Sequence, residues 1–227
     1  IAADTALEIL HKNKIICDVV VTIDGQNISS RLFTSIGQNS EGPQLSVIDC
    51  SAHPNAVTFS MKRNIPVLLC TTGHPLSVWF QQRMPFILPL CSGSGTVTIT
   101  ALDFTIKAGF SSIAFFGADF SYPKGKPYAR GSYLDTVFGC VSSRTKTIET
   151  QFTSLMLRSE TVKKTSSLQQ EENTITYFTP ILSSYKQSLM DYTTKLTKAI
   201  SFYSTSNNLP FPQLSITNTV YQGSKFM

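Results

Sequence analysis

Over the first 140 residues, short apolar runs alternate with helix-like patterns. Cys17-Asp18-Val19-Val20-Val21-Thr22-Ile23 is β-branched and nearly continuous, as expected for a strand buried on both faces. Leu45 to Ile48, Ile65 to Cys70, Phe86 to Leu90 and Ile113 to Phe116 repeat the pattern. Between these runs, Ala6, Leu7, Ile9 and Leu10 mark one helix. Ala56, Val57, Phe59 and Ser60 mark another after a turn at Pro54, and Val97 to Ala108 carries Ile99, Leu102, Phe104 and Ile106. This alternation predicts βαβ units and a mostly parallel sheet.

The texture changes after Asp119. Ser121 to Ser132 holds two Pro, two Gly and three basic residues without periodicity and predicts a long loop. Residues 147–170 are rich in Thr, Ser and Gln and weakly amphipathic. Ile181 to Tyr203 carries Leu182, Tyr185, Leu189, Tyr192, Leu196 and Ile200 at three- and four-residue steps, opened by Pro180 and closed by a turn at Asn207-Asn208-Leu209-Pro210. The expected organisation is an α/β core over 1–140 and a helical C-terminal extension over 141–227. Ile1-Ala2-Ala3-Asp4 reads as a strand already under way, so a further strand and loop are expected upstream.

Composition sharpens this picture. Only 15% of residues are charged, while 28 Ser and 26 Thr supply polarity as hydroxyls. The uncharged stretch Met84 to Leu102 is broken by Pro85, Pro89 and Ser92-Gly93-Ser94-Gly95, and no transmembrane segment is predicted. Residues 1–140 carry 10 basic and 9 acidic side chains and residues 141–227 carry 9 and 5. That spread excess describes a solvated helical face rather than a nucleic-acid footprint. The five cysteines form no CxxC pair and no metal-ligand spacing; buried free thiols in a reducing cytoplasm account for them.

In a parallel sheet every strand ends on one edge, where ligands of open α/β folds bind. The residues expected there are Asp4, Asp24-Gly25-Gln26, Asp49, Thr71-Thr72-Gly73-His74, the run Cys91 to Thr96, and Gly117-Ala118-Asp119. Ser94, Gly95 and Thr96 lie between a strand and a helix, where backbone N–H groups and the helix dipole suit an anion or nucleotide; a capped tight turn explains them equally. Asp24 suits a ribose hydroxyl or a divalent metal, or a cap before Asn27 to Phe33. Asp4 lies at the equivalent end of the first strand, or caps its helix. His74 is a possible general base or plain turn chemistry. Behind Asp119 the loop brings Tyr122, Lys124, Lys126, Tyr128 and Arg130, cations able to clamp a phosphate-bearing substrate unless they are merely solvated.

Taken in order, Asp4-Thr5-Ala6-Leu7, Asp18 to Asp24, Gly95-Thr96-Val97 and Phe116-Gly117-Ala118-Asp119-Phe120-Ser121-Tyr122 with Gly125-Lys126 resemble the motility accessory factor (Maf) glycosyltransferases of bacteria and the related MptE-like hydroxymethylpterin diphosphokinases. The resemblance covers roughly residues 1–135, and Asn207 to Pro210 extends it. It departs at Ala118, where many relatives have Gln, and at Tyr128, where a His is expected. It implies a Rossmann-like, sialyltransferase-like α/β fold whose nucleotide cleft is lined by Asp4, Asp24, Ser94, Gly95, Thr96 and Asp119. Tyr122, Lys126 and Arg130 would form a lid or substrate loop above it.

Three readings follow. A cytoplasmic Maf-type glycosyltransferase would move a nonulosonic acid from a CMP-sugar to a Ser/Thr hydroxyl of a protein such as flagellin, with Asp119 or His74 as the catalytic base. An MptE-like diphosphokinase would use Mg²⁺ on Asp24 and Asp119. A non-catalytic binding or assembly protein would keep only the fold.

Overall fold

Val20 and Val21 are adjacent in sequence, fully buried, and lie in different cores. That is what a central strand does when both faces of its sheet are covered, because successive side chains point to opposite sides. The computed structural model describes residues 1–26, 42–158, 163–166, 175–197, 199–206 and 208–212. Five parallel strands lie in sequence order across one sheet: β1 (Ala2–Ala3), β2 (Val19–Thr22), β3 (Leu45–Asp49), β4 (Val67–Thr71) and β5 (Leu88–Pro89). Their register places Ala3 against Val21, Val21 against Val47, and Asp49 against Cys70. The α/β Rossmann-like expectation holds.

Helices α1 (Asp4–Lys12) and α2 (Pro54–Lys62) cover one face, around Leu7, Val20, Ile48 and Ala56. On the other, α4 (Val97–Lys107) packs Phe104 against Val21, Val47 and Cys70. The opposite side of α4 buries Ile99, Leu102 and Ile106 under α7 (Pro180–Thr194), together with Phe115 and Leu189. A helix sandwiched in this way needs apolar residues nearly all round, which explains the composition of Val97–Lys107.

Some elements differ from the sequence expectation. A helix, α3 (Pro75–Gln81), follows His74 directly. The run 181–203 divides: α7 ends at Thr194, and β10 (Ser201–Ser204) pairs in parallel with β6 (Ser112–Phe115). Periodicity continued past the helix end because Ile200 and Phe202 pack on the same core as α7. Part of the expected loop is strand, since β7 (Tyr122–Pro123) joins β9 (Ile175–Phe178), which also pairs with β8 (Lys163–Ser166). The C-terminal stretch thus combines strands with its helices, which are α6 (Ile148–Leu157) and α7, after α5 (Tyr133–Cys140). Cys17 and Cys70 are buried, but Cys50, Cys91 and Cys140 are exposed, against the expectation of buried thiols. Asn27 to Phe33, and Asn207 in the late turn, lie outside the described residues. Among the described residues no helix is long and apolar enough to cross a membrane.

Candidate functional site

With all five strands parallel, β1, β2, β3 and β4 end on one edge, and a cleft of about 410 Å³ opens there. Its first wall comes from the ends of β1 and β2: Asp4, Thr5, Ile23, Asp24 and Gly25. Its second comes from Thr72 after β4 and from Ser92, Gly95, Thr96 and Val97 entering α4. Tyr185 of α7 completes the lining.

Asp4 is the most constrained residue of the cleft. It is 4% exposed and is the first residue of α1. Its Oδ1 accepts the Thr5 backbone N–H at 2.7 Å and its Oδ2 accepts the Thr22 hydroxyl at 2.6 Å. Burial pushes its pKa up to about 6, with a small further push from the Asp24 charge, while the Thr22 and Thr5 hydrogen bonds pull it down. Asp24 is less enclosed: its Oδ1 accepts the Gln26 N–H at 2.9 Å and its backbone oxygen accepts the His53 N–H at 3.0 Å. Gly25 beside it has no room for a side chain, since a Cβ would lie 2.8 Å from the Ser51 backbone oxygen.

The hydroxyl–glycine run crosses from β5 back over the sheet edge. The Ser92 hydroxyl donates to the Thr72 carbonyl at 3.3 Å, and the Thr96 N–H donates to the Ser92 carbonyl at 3.1 Å. The Thr96 hydroxyl oxygen accepts the Thr98 N–H, capping α4. Cys91 is pinned by its N–H on Asp103 Oδ2 at 2.7 Å. Gly93 and Gly95 both hold positive φ, +56° and +94°, a region glycine enters without penalty.

Four residues expected at the nucleotide, Asp4, Asp24, Gly95 and Thr96, therefore meet in one cleft. Ser94 turns outward, and its oxygen accepts the Ser188 hydroxyl of α7 at 2.9 Å. Asp119 does not line the cleft; its backbone oxygen accepts the Asn208 amide at 3.1 Å, and the same amide donates to the Ser121 hydroxyl at 2.8 Å. The two motifs that the sequence left 89 positions apart, Asp119 to Ser121 and Asn208 to Pro210, are thus in contact. His74 is exposed and caps α3, its Nδ1 accepting the Leu76 N–H at 3.3 Å, as His53 does for α2. Tyr122 is taken up in β7, and Lys126 and Arg130 are exposed.

Thr72, expected at the end of its strand, does line the cleft; sequence reasoning did not single out Thr22, Tyr133 or Tyr185. Tyr128 and Tyr133 meet edge to face with centroids 6.2 Å apart. Burial pushes Tyr133 up to about 12, with Tyr128 and then the charges of Asp4 and Asp24 adding to it. Thr22 had a readable signal, a hydroxyl at the last position of a buried strand next to Asp4. Tyr185 had none that separates it from a core aromatic.

Among the described residues no three His, Cys, Asp or Glu side chains converge as a metal cluster. Mg²⁺ is held by one or two carboxylates plus substrate phosphates and waters. The Asp24 carboxylate, which lines the cleft, fits that donor set, whereas both Asp4 oxygens already accept hydrogen bonds and Asp119 stands outside the cleft lining.

The family model "6-hydroxymethylpterin diphosphokinase MptE-like" matches residues 1–125. The chain belongs to the MptE-like family. An uncharacterized protein of Treponema pallidum (strain Nichols) is 37% identical over 146 residues, covering 62% of this chain and 48% of that protein. The chain thus matches about half the length of this relative. No solved structure matches it.

Proposed function

We propose that this chain is the nucleotide-binding part of a transferase that moves a group from an activated nucleotide to an acceptor hydroxyl in the cytoplasm. One observation carries the reading: Asp4, buried at the cleft with its pKa raised to about 6 and a second carboxylate beside it. A general base works best with a pKa near the operating pH. Gly95, Thr96 and the N-terminus of α4 would face the phosphate, and Asp4 would receive the acceptor's proton.

In the first reading the donor is a CMP-linked nonulosonic acid and the acceptor a Ser/Thr hydroxyl of a protein such as flagellin. The acceptor oxygen bonds to the anomeric carbon, the bond from that carbon to the phosphate oxygen breaks, and CMP leaves with the electron pair. The second reading, 6-hydroxymethylpterin diphosphokinase, is favoured by the description of the matching family model and by the paired carboxylates. Asp24 would then hold Mg²⁺ together with the substrate phosphates, leaving the Asp4 carboxyl free to take the proton; the metal supplies neutralisation of phosphate charge when bound. In either reading the acid–base step falls to Asp4 rather than to Asp119 or His74, because neither of those lines the cleft.

Calorimetry separates the readings. Metal-independent binding of CMP supports glycosyl transfer, and Mg²⁺-dependent binding of ATP supports diphosphoryl transfer. Silence with both nucleotides sinks the transferase and leaves a binding or assembly protein on the same fold.

A further inference from the structure

Helix α7 is locked against α4 and the cleft loop over two successive turns. Leu189 is fully buried against α4, Ser188 donates to Ser94 at 2.9 Å, and the Tyr192 hydroxyl donates to Asp103 Oδ1 at 2.7 Å. Asp103 holds the start of the same loop through the Cys91 N–H at 2.7 Å. Gly93 lets the helix come this close, for a Cβ there would lie 3.1 Å from Ser188 Cβ. Tyr185, one turn before Ser188 and Leu189, is carried by this rigid seating into the cleft lining, where it is the aromatic member. The other lining side chains divide into carboxylates and hydroxyls, suited to phosphate, metal or sugar, and two aliphatics, Ile23 and Val97. Helix α7 also lies beyond residues 1–125, so the family match says nothing of this wall.

We propose that Tyr185 is the ring-binding wall of the cleft: a planar heteroaromatic group, nucleobase or pterin, stacks on it while the phosphates lie toward Gly95 and Thr96. The inference rests on the transferase reading and adds the element that selects for a ring. An aromatic face accepts any flat π-system, and its loss costs affinity for the ring alone. A residue that merely closed the wall would affect ring-bearing and ring-free ligands alike.

The test titrates the whole chain with CMP, Mg²⁺-ATP, 6-hydroxymethylpterin and, as a ring-free probe, inorganic tripolyphosphate. Tyr185→Ala is expected to weaken a ring-bearing ligand by about tenfold or more while leaving tripolyphosphate unchanged. Tyr185→Phe is expected to stay within about twofold of wild type, since the ring remains. The ligand that loses affinity identifies the ring, nucleobase or pterin. Wild-type affinity for the ring-bearing ligands in Tyr185→Ala overturns the inference while leaving the transferase reading intact, and so does an equal loss for tripolyphosphate. Wild-type protein that binds no ring-bearing ligand overturns both.

Discussion

The Thr22 hydroxyl donates to Asp4 Oδ2 at 2.6 Å, joining the last residue of β2 to the first residue of α1. Both residues are almost fully buried, with Thr22 1% exposed. The bond favours the ionised carboxyl, whereas burial favours the neutral one, and burial is the larger effect. Thr22 therefore moderates a pKa that burial alone would carry higher.

Thr22→Val keeps the shape and removes the donor. The Asp4 pKa is expected to rise further above about 6, so the acid limb of any Asp4-dependent pH–activity or pH–binding profile moves to higher pH. Stability should fall by about 1 kcal/mol for the lost bond. Titration of the Asp4 carboxyl carbon by NMR checks the direction, and an unmoved or lowered pKa would show that Thr22 does not tune Asp4.

Asp4→Asn tests the same carboxyl through folding. The folded-state pKa lies above the ordinary carboxyl value of 3.8, at about 6, so between these values the folded chain binds more protons than the unfolded one. The stability from this proton is complete below about pH 4 and is lost as pH rises through about 6, a total of roughly 3 kcal/mol. Asn carries no such titration. Denaturant unfolding should show wild type losing stability relative to Asp4→Asn from pH 4 to pH 7, and a constant gap would refute the assignment.

Asp24→Ala and Asp119→Ala separate the two aspartates that the family resemblance pairs. Asp24 lines the cleft, whereas the contact of Asp119 with Asn208 is through its backbone oxygen, which alanine keeps. Asp24→Ala should therefore change nucleotide or Mg²⁺–nucleotide affinity by about tenfold, and Asp119→Ala by less than about twofold. Calorimetry on both variants decides it; a large loss confined to Asp119→Ala would move the site toward β6.

The parallel sheet was legible because buried strands such as Cys17 to Ile23 read as continuous β-branched runs, and parallel strands bring Asp4 and Asp24 to one edge whatever the details. Contacts made between distant segments were not legible. Ile200 and Tyr203 continue the helical spacing, yet Ser201–Ser204 folds as β10, because pairing with β6 outweighs a weak local preference. His74 looked like a base in sequence, yet a histidine before proline can equally cap a helix, and only its 3.3 Å bond to the Leu76 N–H shows which role it fills. Tyr185 carries the spacing of a core residue, and its place in the cleft depends on how α7 docks.

That docking can be tested at two glycines of one loop. Both Gly93 and Gly95 have positive φ, so alanine at either strains the backbone by about 1–3 kcal/mol. They differ in what surrounds them. A Cβ at Gly95 meets nothing within 4 Å, whereas one at Gly93 would lie 2.6 Å from Ile99 Cδ1 and 3.1 Å from Ser188 Cβ. Ile99 is fully buried and Ser188 is held by Ser94, so neither can withdraw cheaply. Gly93→Ala should therefore cost about 1–3 kcal/mol more than Gly95→Ala by displacing α7 from the loop. Chemical denaturation of the two variants measures the difference, and hydrogen exchange across residues 185–192 should rise in Gly93→Ala alone. Equal stability, or unchanged exchange in α7, would mean that the helix is not seated on Gly93.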